Sequence, residues 1–175
     1  MLSTSSTSPI YSFKPITSPN ATVLILGSMP GVESLRAAQY YAHPRNAFWP
    51  IMGELAGAKP HIPYAERTRI LLEAGIAVWD VLQSCVRPGS LDSDIESSIV
   101  VPNNFTAFFA SHPHIRAVFF NGAKAEECFR KQVLPTLENF SIPCKRLPST
   151  SPAHASLRFA EKLQVWGDSI RLAMG

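Results

Sequence analysis

Ala21-Thr-Val-Leu-Ile-Leu-Gly27 is the stretch that decides the fold. It is short, apolar throughout its second half and closed by glycine. It lacks the in-out alternation of a half-exposed strand, so it reads as a strand covered on both faces, the signature of a parallel sheet. Gly27-Ser-Met-Pro-Gly31 follows as a turn-forming loop, and Ser34-Leu-Arg-Ala-Ala-Gln39 as a helical start. Outward from there the alternation repeats. Phe48 to Ala56 reads as a helix closing near Gly57, and Tyr64 to Ala74 as a helix stopped by Gly75. Gly75 to Asp80 is a second strand, Val86 to Asp94 a loop containing Pro88 and Gly89, and Asn104 to Ser111 a short helix. Ile115 to Asn121 is a third strand, and a helix then runs from Gly122 to about Val133. Ile142 to Leu147 is a fourth strand, Pro148 to Pro152 a loop, and His154 to Met174 the last helix. Strands separated by helices predict an α/β fold: a three-layer α/β/α sandwich around a four-stranded parallel sheet. In such folds ligands bind at the carboxyl ends of the strands. The distinctive residues fall there: Gly27 to Pro30, Asp80, and Ser149 to His154.

The chain has 175 residues, enough for one domain with a sizeable core, and 46% of them are hydrophobic. A flexible tail over residues 1–20 and a single domain over 21–175 are expected. Met1 to Ser8 is Ser/Thr-rich and uncharged, unlike a secretion signal, and no Arg precedes Arg36. No apolar run reaches the roughly 20 residues of a membrane span. Cys85, Cys128 and Cys144 are scattered and odd in number, which argues against a disulfide framework, a zinc site or an iron–sulfur cluster. A reducing, intracellular setting follows, cytoplasm or nucleoid. Net charge is +3 with a pI near 8.9, which permits a polyanionic partner without demanding one. The basic pairs Arg67/Arg69, Arg130/Lys131 and Lys145/Arg146 are small and also suit a plain solvated surface.

Three segments together resemble the uracil-DNA glycosylase superfamily, and within it the deoxyinosine (hypoxanthine) branch. They are Leu26-Gly-Ser-Met-Pro-Gly-Val-Glu-Ser-Leu35 running into Gln39-Tyr-Tyr-Ala-His-Pro-Arg-Asn-Ala-Phe-Trp49; Gly75-Ile-Ala-Val-Trp-Asp-Val-Leu82 leading into Arg87-Pro-Gly89; and Leu147-Pro-Ser-Thr-Ser-Pro-Ala-His-Ala155. Gly-x-x-Pro-Gly alone is a weak signal, but His-Pro-x-Asn-x-Phe-Trp after it makes the combination specific. The resemblance implies a uracil-DNA-glycosylase-like fold and a metal-free, cofactor-free enzyme, a monomer that hydrolyses the N-glycosidic bond of a deaminated base in DNA.

Individual residues carry separate expectations. Gly27 and Gly31 let the backbone approach a ligand, Pro30 stiffens the turn, and N–H groups at Ser28 and Met29 can face a base carbonyl or phosphate. An ordinary strand-to-helix turn is the bland alternative. Related enzymes often place Asp or Asn at the Met29 position to hold the attacking water; methionine cannot do this. Asn46 is the substitute, since its amide holds a water without ionising, although it also suits a helix cap. Phe48 is the stacking platform that the resemblance implies, with Trp49 beside it in the core. Asp80 occupies the place of a base-reading Asn. A carboxylate accepts from the N1–H of hypoxanthine or the N3–H of uracil; burial and nearby phosphates favour the protonated form, which also donates to the adjacent carbonyl. Ser149 and Ser151 suit phosphate and Pro152 a backbone wedge. His154 suits the departing base, a helix cap or a phosphate. His43 and Arg45 suit phosphate or the orientation of Asn46. Asn121 and Lys124 read as the structural end of strand three. The absence of Lys from the three loops favours hydrolysis over Schiff-base lyase chemistry. The competing readings are a mismatch-specific uracil or thymine glycosylase, a lesion-binding module without catalysis and, less well supported, a free-nucleoside hydrolase.

Overall fold

The computed structural model describes residues 8–87, 95 and 99–175. Residues 1–7, and the Pro88 and Gly89 of the loop expected over Val86–Asp94, lie outside that set. The elements in chain order are β1 (Ile10–Tyr11), β2 (Val23–Gly27), α1 (Val32–Ala37), α2 (Phe48–Ala56), α3 (Tyr64–Glu73), β3 (Ile76–Asp80), β4 (Leu82–Cys85), β5 (Val101–Pro102), α4 (Phe105–Ser111), β6 (Ala117–Asn121), α5 (Ala123–Cys128), β7 (Cys144–Leu147) and α6 (Phe159–Met174). The sheet order is β3-β2-β6-β7 and every pairing in it is parallel. This is the four-stranded sheet the sequence predicts.

Every residue of β2 is buried, as its unbroken apolar run requires. Leu24 and Leu26 enter one core with Phe105, Phe120 and Phe129; Val23 and Ile25 enter another with Phe48, Trp49 and Trp166. The period-two alternation of side chains along a strand therefore feeds two separate hydrophobic layers, one on each face of the sheet. That makes the molecule a three-layer α/β/α sandwich.

Two boundaries differ from the sequence reading. The tail expected over residues 1–20 is corrected from residue 10 onward. Ile10 and Tyr11 pair antiparallel with Cys85 and Ser84, and Ile16 bridges Val78. Phe13 packs into the second core, and its carbonyl accepts from the Trp79 indole at 3.2 Å. With β5, this strand forms a small antiparallel sheet, β1-β4-β5. The last helix begins at Phe159, not His154. Arg158 caps it: its main-chain N–H donates to Glu161, and its guanidinium donates to the same carboxylate, both at 3.2 Å. Residues 148–157 are thereby left as a loop at the sheet's carboxyl rim. No helix among the described residues is long and apolar enough to cross a membrane.

Candidate active site

Parallel strands bring their carboxyl ends to one rim, where a cleft of about 840 Å³ opens. One wall is the Gly27–Ser34 segment with Tyr40, Tyr41, His43, Asn46 and Asp80; the other is Asn121–Lys124 with Ser149–His154. Of the residues singled out in the sequence, Gly27, Ser28, Met29, Pro30, Gly31, His43, Asn46, Asp80, Ser149, Ser151, Pro152 and His154 all line this cleft. Phe48 and Arg45 do not.

Strand register places Asp80. Gly27 and Asp80 are partners at the ends of β2 and β3. The Asp80 carboxyl folds back over Gly27 so closely that a Cβ there would lie 2.6 Å from Oδ1. Glycine is thus required by the approach of a side chain and not by an unusual φ. The Asn103 amide donates to the Asp80 carbonyl at 2.8 Å and fixes the strand end. Asp80 is only 3% exposed. Its negative charge, after burial itself, contributes to raising the pKa of Tyr40, so that phenol stays neutral. Tyr40 donates to the Lys14 carbonyl at 2.8 Å.

Asn46 stands where the 39–47 segment enters α2. Its Oδ1 accepts from the Phe48 N–H at 2.9 Å, and its own N–H donates to the His43 carbonyl at 2.9 Å. The amide is therefore pinned by the helix start while it lines the cleft. That bond uses one of the two lone pairs of the carbonyl oxygen. His43 accepts the Arg45 N–H on Nδ1 at 3.0 Å, so it shapes the turn that presents Asn46. Arg45 itself is exposed on the outside of that turn.

The stacking platform is corrected. Phe48 is 0% exposed and belongs to the second core. Tyr41 lies between it and the cleft, stacked on it with centroids 4.1 Å apart and planes at 28°. Tyr41 reaches this position through a left-handed backbone (φ 54°), which a tyrosine rarely adopts. Strain of that kind persists where surrounding packing over-determines it, and it clusters at binding sites.

The opposite wall contains residues that sequence reasoning set aside. Asn121, at the end of β6, donates from Nδ2 to Thr150 Oγ1 and accepts the Thr150 N–H on Oδ1, both at 2.9 Å. Thr150 in turn accepts the Ala47 N–H on its carbonyl at 2.9 Å. One buried threonine thus ties the 148–157 loop both to the sheet and to the segment carrying Asn46. Ser149 and Ser151 hold this loop locally by accepting the N–H groups of Ser151 and Ala153, each at 3.2 Å. Lys124 also lines the cleft, with its ammonium 3.6 Å from Glu127. The three loops themselves carry no lysine, but the fold brings Lys124 to the cleft from the start of α5. His154 faces the cleft with Nε2 3.2 Å from Ser156 Oγ. Its carbonyl accepts from the buried Lys162 ammonium at 2.7 Å. With α6 starting at Phe159, the helix-cap reading of His154 falls away, and the base and phosphate readings remain.

A cleft of that volume at the carboxyl rim of a parallel sheet takes a ligand of nucleotide size. Its aromatic floor and pinned amide define a DNA glycosylase of the α/β/α class. The model of the uracil DNA glycosylase superfamily matches residues 14–168, and the chain belongs to that family. It is 35% identical over 143 residues to a hypoxanthine DNA glycosylase of Methanosarcina acetivorans, covering 81% of this chain and 86% of that one. It is 37% identical, over the same length and shares, to a hypoxanthine DNA glycosylase of Methanosarcina barkeri. The solution NMR structure of a proposed uracil DNA glycosylase from Methanosarcina acetivorans superposes with a TM-score of 0.73 at 32% identity. That match covers 92% of this chain and 98% of the other.

Proposed function

We propose that this enzyme excises hypoxanthine from DNA by hydrolysis, as a monomer inside the cell, without metal or cofactor. The observation that carries the substrate assignment is the Asp80 carboxyl held over Gly27 in the cleft, together with two relatives named for hypoxanthine. A carboxyl group there accepts from N1–H and, when protonated, donates to O6. Adenine carries a lone pair at N1 where hypoxanthine carries N1–H, so an ionised carboxyl there has no ring proton to accept and binds it less well. Uracil shows the same pair of groups as hypoxanthine and is the second substrate.

Breaking the C1′–N bond leaves positive charge on the sugar and negative charge on the base. Asn46 holds the water that attacks C1′. Backbone N–H groups of Ser28 and Met29 and the His154 ring face the base as its charge develops. Ser149, Ser151 and Pro152 contact the DNA backbone. Tyr41, which lines the cleft, receives the everted base against its ring, and Phe48 supports that ring from behind.

The purified protein is expected to release base from duplexes carrying deoxyinosine, leaving abasic sites, more rapidly than from duplexes carrying deoxyuridine, xanthine or mispaired thymine. A thymine or uracil preference would replace the hypoxanthine assignment, and lesion binding without abasic product would remove the enzymatic one.

The two aromatic rings separate by measurement. Tyr41→Ala removes stacking worth about 1–3 kcal/mol per base, and kcat/KM on deoxyinosine DNA should fall by about tenfold or more. Phe48→Ala empties a fully buried site, so its main effect is a loss of about 3–5 kcal/mol of stability in denaturant titration. Reversed results would return the platform to Phe48.

A further inference from the structure

Arg87 follows β4, is 5% exposed and does not line the cleft. Its Nη2 donates a short hydrogen bond to the Pro30 carbonyl. Its Nε and Nη1 are buried with no hydrogen-bond partner among the described residues. A guanidinium is charged at any working pH and offers five donors, so burying it with two N–H directions open is costly. Such a group in a native fold calls for an explanation, and a catalytic role is one of the few that apply. Pro30 belongs to the wall formed by Ser28 to Gly31, so the cation is hydrogen-bonded to the main chain of the cleft lining. Asp80 and Glu33 are carboxylates on the same side of the cleft and oppose any anion that forms there.

We propose that Arg87 is a positioning residue of the glycosylase reaction: its buried cation braces the Ser28–Gly31 wall and favours the base leaving as an anion. This rests on the glycosylase reading above and adds a group to it. When C1′–N9 breaks, the bonding pair moves onto the base; water bonds through its oxygen to C1′, and the proton it loses ends on the released base. A fixed positive charge in a poorly screened interior stabilises that developing anion more than the neutral bound base, which is the condition for raising kcat. A hydrogen bond to the Pro30 carbonyl also polarises the peptide it shares with Gly31, strengthening that N–H as a donor toward the cleft.

The test compares Arg87→Gln, which keeps a donor without charge, with Arg87→Lys, which keeps charge and a donor. Each is assayed in single turnover on deoxyinosine and on 8-aza-deoxyinosine, whose extra ring nitrogen makes an equally sized base a better anion. In Arg87→Gln the rate should fall about 10²-fold on deoxyinosine and about tenfold on the 8-aza substrate. In Arg87→Lys the ratio of the two rates should match wild type. Equal losses on both substrates in Arg87→Gln would reduce Arg87 to a structural brace and overturn the proposal. A shifted ratio in Arg87→Lys would do the same, and that arm stands alone if Arg87→Gln melts before assay. If wild type leaves deoxyinosine intact, the substrate reading fails by itself. The ratio is then read on the base that is released and a more acidic analogue of it.

Discussion

Asn46→Ala should lower single-turnover excision by about 10²–10³-fold, the range seen when one preorganised polar group is removed from a reacting centre, while affinity for lesion DNA stays close to wild type. The expectation follows from two jobs held by one amide. Oδ1 caps the Phe48 N–H at 2.9 Å, and the same residue faces the cleft. Losing the cap costs about 1 kcal/mol, which lowers Tm by roughly 2–4 °C in a chain of this size. That is far too little to unfold the enzyme or explain a rate loss of that size. Asn46→Asp separates the jobs further, since a carboxylate caps the helix equally well and also holds a water. It should melt like wild type and retain much of the rate that alanine loses. If Asn46→Ala shows the small drop in Tm with an unchanged rate, the residue is a cap alone, and the water must be held elsewhere on the rim.

Why some of this was legible in the sequence and some was not has a physical answer. A strand buried on both faces leaves a continuous apolar run, so β2, β3 and β6 announce themselves, and parallel pairing then sends their carboxyl ends to one rim. That chain of reasoning placed Asp80 and the Gly27–Gly31 loop correctly. The same rule places Asn121 at that rim, since it ends β6 next to β2, but a lone amide at a strand end has no local pattern that marks it as part of a site. The small sheet was illegible because β1 and β5 are two residues each, and β1 reaches β4 across more than 70 residues of chain. No local pattern of that length carries information. The choice between Phe48 and Tyr41 was partly legible. Phe48, Trp49, Ile51 and Met52 make α2 apolar around most of its girth, the mark of a buried helix, so the ring facing the ligand had to come from outside it. The left-handed turn at Tyr41 that supplies this ring depends on packing against Phe48, which a linear sequence does not display. Thr150 was invisible for the same reason: its importance lies in three hydrogen bonds to segments distant in the chain.

Gly27→Ala should reduce kcat/KM on deoxyinosine DNA by about 10²-fold, the scale associated with displacing a reacting or recognising group by about 1 Å, although only one methyl group is added. The backbone at Gly27 lies outside the left-handed region, so alanine fits the strand itself. What it does not fit is the site. The new Cβ would lie 2.6 Å from Asp80 Oδ1, closer than real Cβ atoms come, and 3.0 Å from the Tyr41 hydroxyl, a tight contact. The Asp80 carboxyl must move and the Tyr41 ring must give way slightly, and neither moves freely: Asp80 is buried, and Tyr41 lies against Phe48. A double-mutant cycle tests the route of the effect. Asp80→Ser shortens the colliding side chain, so adding Gly27→Ala to it should cost much less than adding Gly27→Ala to wild type, the non-additivity expected of groups in contact. Thermal melting of all three variants should show folded proteins. Should the two losses simply add, the methyl group would be acting on the enzyme by some path other than Asp80, and the placement of that carboxyl against the base would lose its support.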